Sequence, residues 1–161
     1  MVRKMFSIIG IVWVLISTTS NPANASVTLK EVKSIYKALI KKNKLDAPPL
    51  YVVKNNYING FTLKDRILIT TGAMKYLDKA EMALILGHEL THYKFNDVYS
   101  WFQIGTFMED RADVFGAEYA RKIGYPKCEQ AQLFILFHYL YGEHEGHHSL
   151  NPVRYHNICN A

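Results

Sequence analysis

The chain has 161 residues, 49% hydrophobic and 20% charged, which suits one ordinary globular core and excludes two separately folded domains. Its formal charge of +5 falls to +3 without the first 25 residues, because Arg3 and Lys4 go and no acid does. So small an excess gives no basis for a nucleic-acid partner, and nothing in the composition specifies an oligomeric state.

Arg3 and Lys4 precede an apolar run over residues 5–16, then polar residues 17–21 and the small-residue stretch Ala23-Asn24-Ala25. This is the layout of a bacterial-type secretory signal. Residues 1–25 are expected to be removed, leaving 26–161 as one exported domain in the periplasm or outside the cell. The run holds 12 residues where about 20 are needed to span a bilayer. An uncleaved membrane anchor is therefore the lesser alternative, and no stable membrane insertion is expected once the signal is gone.

Thr28 and Glu31 have capping-box spacing and open a predicted helix to about Asn43, with Leu29, Val32, Ile35, Tyr36, Leu39 and Ile40 on one face. Its lysines, Lys30, Lys33, Lys37, Lys41, Lys42 and Lys44, are expected to form a solvated outer face. Pro48-Pro49 ends this segment, and three short runs rich in β-branched and aromatic residues follow at 50–54, 57–63 and 66–70. A small antiparallel sheet fits them.

Asp78 and Glu81 repeat the capping box and open a helix to about Tyr93. Further helices are predicted over 100–123, ended by Gly124 and Pro126, and over 127–141. Residues 142–149 read as loop, and Asn151-Pro152 as the start of a short terminal helix ending near Cys159. Trp101, Phe102 and Phe107 are expected to pack the 100–123 helix, with an exposed aromatic lip as the alternative, and His138 to sit in the core or at its boundary. An oxidising compartment would pair Cys128 with Cys159 and tie the 127–141 helix to the tail; the alternative is two buried thiols.

The chemistry is carried by Gly87-His88-Glu89-Leu90-Thr91-His92. Residues four apart on a helix share a face, so His88 and His92 can present both imidazoles to one ion while Glu89 leans beside it. Neutral imidazoles suit Zn²⁺, and Glu89 is placed to take a proton from an attacking water rather than to ligate. A site of this type needs a third donor. Glu109 and Asp113 stand four apart in Glu109-Asp110-Arg111-Ala112-Asp113 on the next predicted helix. Ala112, Gly116, Ala117 and Ala120 form a small-residue stripe that would let the two helices close. Glu109 is read as the third ligand and Asp113 as the acceptor for a ligating imidazole; the alternative for Asp113 is a solvent-facing or arginine-paired acid.

These strings resemble peptidase family M48 of the gluzincin group, and the resemblance extends over most of residues 51–158. Asn59-Gly60-Phe61 is similar to the family's Asn-Ala-Phe stretch on the strand before the active-site helix. His148, Arg154 and Ile158 are similar to its late His-Pro…Arg…Ile segment, although Ser149 replaces the proline and His147 makes the register ambiguous. The separation from His92 to Glu109 is short, and the family's transmembrane helices are missing from the pattern. The chain resembles the small soluble branch.

The resemblance implies an α+β, zincin-like fold, one Zn²⁺, and hydrolysis of unfolded or extended polypeptide. A substrate strand would pair along Asn59, Gly60 and Phe61, with Glu89 as general base. Arg154, His148 or Tyr155 would donate to the oxyanion. Two other readings compete: a zinc-retaining, chaperone-like binding protein without turnover, and a structural zinc domain. Intact Glu89 argues against the first, and a ligand set of only three residues against the second.

Overall fold

A computed structural model describes residues 26–97, 105–142 and 151–160. The proposed signal 1–25, His148 with the other histidines of its loop, and Trp101 and Phe102 lie outside the described residues. The element order is α1 (Leu29–Asn43), β1 (Leu50–Val53), β2 (Gly60–Thr62), β3 (Ile67–Thr70), α2 (Thr71–Tyr76), α3 (Lys79–Phe95), α4 (Thr106–Lys122), α5 (Lys127–Gln130), α6 (Gln132–Tyr141) and α7 (Asn151–Cys159). This is the expected α+β architecture. No helix among the described residues is long and apolar enough to cross a membrane.

The helix starts follow their caps. Thr28 and Asp78 each accept from the backbone N–H three residues on, while Glu31 and Glu81 reach back to the cap N–H, closing both capping boxes. Both helices end on a left-handed residue, Lys44 (φ 52°) after α1 and Asn96 (φ 59°) after α3. The helix expected from residue 100 begins instead at Thr106, behind an extended Gly105. The single helix expected over 127–141 is divided at Ala131 into α5 and α6.

The sheet corrects a further expectation. Its order is β1-β3-β2, with β2 antiparallel to β3 but β1 parallel to it, so the sheet is mixed rather than antiparallel. The cause lies in the path between β1 and β2. After β1 the chain crosses the end of β3, where the Gly72 N–H donates to the Asn55 carbonyl at 2.7 Å and Thr70 Oγ1 donates to the Tyr57 carbonyl, also at 2.7 Å. A Cβ on Gly72 would collide with the Asn56 and Tyr57 carbonyls, so only glycine lets the crossing lie this close. The chain then returns as β2 on the far side of β3, leaving β2 at the sheet edge.

The centre of the molecule is α3, buried on every side from Ala80 to His92. Met82, Leu86 and Leu90 pack with Leu39 of α1, Ile67 and Ile69 of β3 and Phe134 of α6 in one core. Cys128 and Cys159 form a disulfide with Cα atoms 4.4 Å apart, joining α5 to α7. Two expected core residues are on the outside. His138 is exposed because α6 turns Leu133, Phe134 and Phe137 inward, and Phe107 is 76% exposed on the outer face of α4.

A helix buried all round must also bury polar groups, and Glu81 shows the consequence. Burial pushes its carboxyl from 4.5 up to about 7. A carboxyl raised in the folded state favours the protonated form there, so the unfolded chain ionises first and stability falls as pH rises from 4.5 to about 7. Glu81→Gln keeps the cap acceptor and removes the titration. It is expected to gain on the order of 2 kcal/mol over wild type at pH 8 and nothing at pH 4, read by urea unfolding at both values. An equal difference at both would mean that Glu81 ionises normally.

Candidate metal centre

His88 and His92 lie one helical turn apart on α3, and Glu109 reaches them from the first turn of α4. The helices can meet this closely because glycines face each other at the crossing. A Cβ on Gly87 would lie 2.6 Å from the Gly116 carbonyl oxygen, and one on Gly116 would lie 2.5 Å from the His88 nitrogen. Ala112, Ala117 and Ala120 on the same helix as Gly116 are likewise small and fully buried. The small-residue stripe is thus the seam that brings the third donor in.

The donor atoms converge. His88 Nε2 is 3.0 Å from His92 Nε2 and 3.2 Å from Glu109 Oε2, and His92 Nε2 is 3.5 Å from Glu109 Oε1. Ligands about 2.0–2.1 Å from a tetrahedral Zn²⁺ stand about 3.4 Å from one another, so these separations fit such an ion. All three residues are buried, and they form a group whose ligand atoms lie within 4.8 Å of one another. Burial alone would lower the His88 pKa, yet hydrogen bonds to Asp113 and Glu109 and the charge of Glu89 push it up to about 10. Surroundings that favour a proton so strongly also favour a metal cation, and the two compete for the same nitrogen.

Each imidazole is held from behind. His88 Nδ1 is 2.8 Å from Asp113 Oδ1, and Arg154 donates to both oxygens of that carboxylate at 2.7 and 2.9 Å. Burial would raise Asp113, but Arg154 and His88 hold it down at about 2. Arg154 was expected to be a donor facing a substrate. It is instead 4% exposed and turned to Asp113, with its guanidinium 4.2 Å from the Phe134 ring centroid, because α7 packs behind α4. Tyr155 is half-buried against the core.

His92 has a matching arrangement, which sequence reasoning did not find. Its Nδ1 is 3.0 Å from Asp97 Oδ2, and Arg111 donates to both Asp97 oxygens at 2.6 and 2.8 Å. The signal available in the sequence was Asn96-Asp97 just past the predicted helix end, since a left-handed asparagine turns the next residue back toward the last turn.

Glu89 sits against β2. Thr62 Oγ1 is 2.6 Å from Glu89 Oε2 and 2.8 Å from its carbonyl oxygen, within reach of the one hydroxyl proton. A Cβ on Gly60 would lie 2.9 Å from both Cγ and Oε1 of Glu89, so the glycine makes room for the carboxylate. Asn59 leads into the strand, its backbone N–H donating to Thr70 Oγ1 at 3.1 Å, and Phe61 pairs with Leu68. The structure thus brings together His88, His92, Glu109, Asp113, Arg154 and Glu89, with Asn59, Gly60 and Phe61 alongside.

Known proteins resemble this chain over part of its length. The chain is 30% identical over 73 residues to a protein named Protease HtpX homolog from Thermodesulfovibrio yellowstonii, covering 42% of this chain and 26% of that protein. It is 33% identical over 83 residues to another of the same name from Acidiphilium cryptum, covering 48% and 29%. The chain thus spans less than a third of the length of these relatives. The family model for peptidase family M48 matches residues 26–109, just over half of the chain. That stretch contains both imidazoles and Glu89 and ends on Glu109, so the whole donor set falls within the matched region, and the chain belongs to peptidase family M48.

Proposed function

We propose that this chain is a zinc-dependent endopeptidase that cleaves unfolded or extended polypeptide, acting in the periplasm or outside the cell after removal of residues 1–25. The observation that carries the reading is the convergence of His88, His92 and Glu109 at a point beside Glu89. When bound, Zn²⁺ supplies a charge that lowers the pKa of water toward about 7 and polarises a carbonyl.

The chain's own residues do the rest. His88, His92 and Glu109 hold the ion and, as three donors, leave room for a reacting group. The Glu89 carboxylate takes a proton from the attacking water and can return it to the leaving amine. Thr62 and Gly60 fix where that carboxylate points, one by a hydrogen bond and the other by the space it leaves. The outer edge of β2 offers main-chain groups to an extended segment, which would then pass Glu89. His148 stays in the reading as a donor to the oxyanion.

Metal analysis of the purified mature chain is expected to give one zinc per molecule. Casein cleavage should stop on adding a chelator and return with zinc. Glu109→Ala is expected to lose stoichiometric zinc and all cleavage. A variant that kept its zinc would remove Glu109 from the ligand set, and zinc-loaded wild type that cut nothing would leave a binding protein in place of a peptidase.

A further inference from the structure

We infer that Asp97 and Arg111 are a positioning pair that sets the metal affinity of the site through His92. The inference rests on reading His92 as a metal ligand. A ligating imidazole with its Nε2 toward the ion carries its proton on Nδ1, and a carboxylate accepting that proton fixes both the tautomer and the ring orientation. Asp97 is placed to do this, with Oδ2 3.0 Å from His92 Nδ1.

The placement is built by the end of α3 and by the first turns of α4. Asn96 closes α3 in the left-handed conformation, its N–H bonded back to the His92 and Tyr93 carbonyls, and so turns Asp97 under the last helical turn. Arg111 comes from α4, two residues past Glu109, and clamps both Asp97 oxygens at 2.6 and 2.8 Å. Its guanidinium is 4.2 Å from the Phe95 ring centroid and 5.8 Å from that of Phe107, so aromatic faces on both helices hold the clamp. The imidazole and the arginine both offset the cost of burying this carboxylate.

The site is therefore supported twice, by Asp113 and Arg154 behind His88 and by Asp97 and Arg111 behind His92, but the two supports differ. The Arg154 side chain is 4% exposed, whereas that of Arg111 is 21% exposed and lies among surface aromatic residues. The His92 support is thus the one that the protein surface can reach.

The test measures zinc affinity by chelator competition in Asp97→Asn and Arg111→Gln, with the melting temperature of each metal-free protein as control. Asp97→Asn is expected to weaken zinc about 10- to 100-fold and Arg111→Gln by less, in each case beyond what any change in the metal-free melting temperature accounts for. Asp97→Glu is expected to restore part of the loss. In the zinc-loaded wild type, nitrogen NMR should show His92 bound through Nε2 and protonated on Nδ1. Wild-type affinity in Asp97→Asn, losses that merely follow the metal-free stability, or a proton on His92 Nε2 would each overturn the inference. His92→Ala separates the two levels. Zinc retained at wild-type affinity in that variant would bring down the metal-site reading itself, whereas zinc lost there but kept in Asp97→Asn would bring down only this pair.

Discussion

Glu89→Gln is expected to slow peptide cleavage by about two to four orders of magnitude while leaving zinc bound at full stoichiometry. The substitution changes one atom and keeps the volume. Gln can still meet Thr62 and still fits beside Gly60, so the geometry that positions the side chain survives. What disappears is the basic oxygen. Zinc should stay, because the three converging donors are His88, His92 and Glu109 and none of their separations involves Glu89. Cleavage of an unstructured protein and metal content, measured on one preparation, decide the matter. Unchanged turnover would mean that another group takes the proton, and lost zinc would mean that Glu89 is a ligand rather than a base.

The parts of this site that were legible in the sequence are those governed by local geometry. His88 and His92 share a face because a helix repeats every 3.6 residues, and the same rule pairs Glu109 with Asp113. That the two pairs meet was legible from the small residues between them. Asp97 was not, because its contact with His92 depends on a left-handed turn after the helix ends, where periodicity no longer applies. Arg111 was hidden for a related reason. Lying two residues from both Glu109 and Asp113, it belongs to another side of α4, and its partner could not be named before Asp97 was placed. Arg154 shows the converse: a resemblance placed it near the cleft, but which way the guanidinium turns depends on how α7 packs, a tertiary fact. The parallel pairing of β1 with β3 likewise depends on a crossing at Gly72 that strand propensity cannot express.

Gly116→Val is expected to abolish zinc binding and to destabilise the protein by about 2–3 kcal/mol, although position 116 touches no ligand atom. Helix propensity alone predicts the opposite sign, since replacing glycine inside a helix gains up to about 1 kcal/mol. Sterics outweigh that gain here. The added Cβ would lie 2.5 Å from the His88 nitrogen and 2.9 Å from the Gly87 carbonyl carbon, both backbone atoms of a helix buried on all sides. Neither can move without the rest of α3, so α4 must swing outward and take Glu109 with it. The donor separations of 3.0 to 3.5 Å leave no slack for such a shift. Val114→Ala, on the exposed face of α4, is the control and should change neither property. Chelator competition and urea unfolding read the two effects separately. If Gly116→Val lost stability but kept zinc at wild-type affinity, α4 would be sliding along α3 rather than separating from it, and the seam would not be what places Glu109.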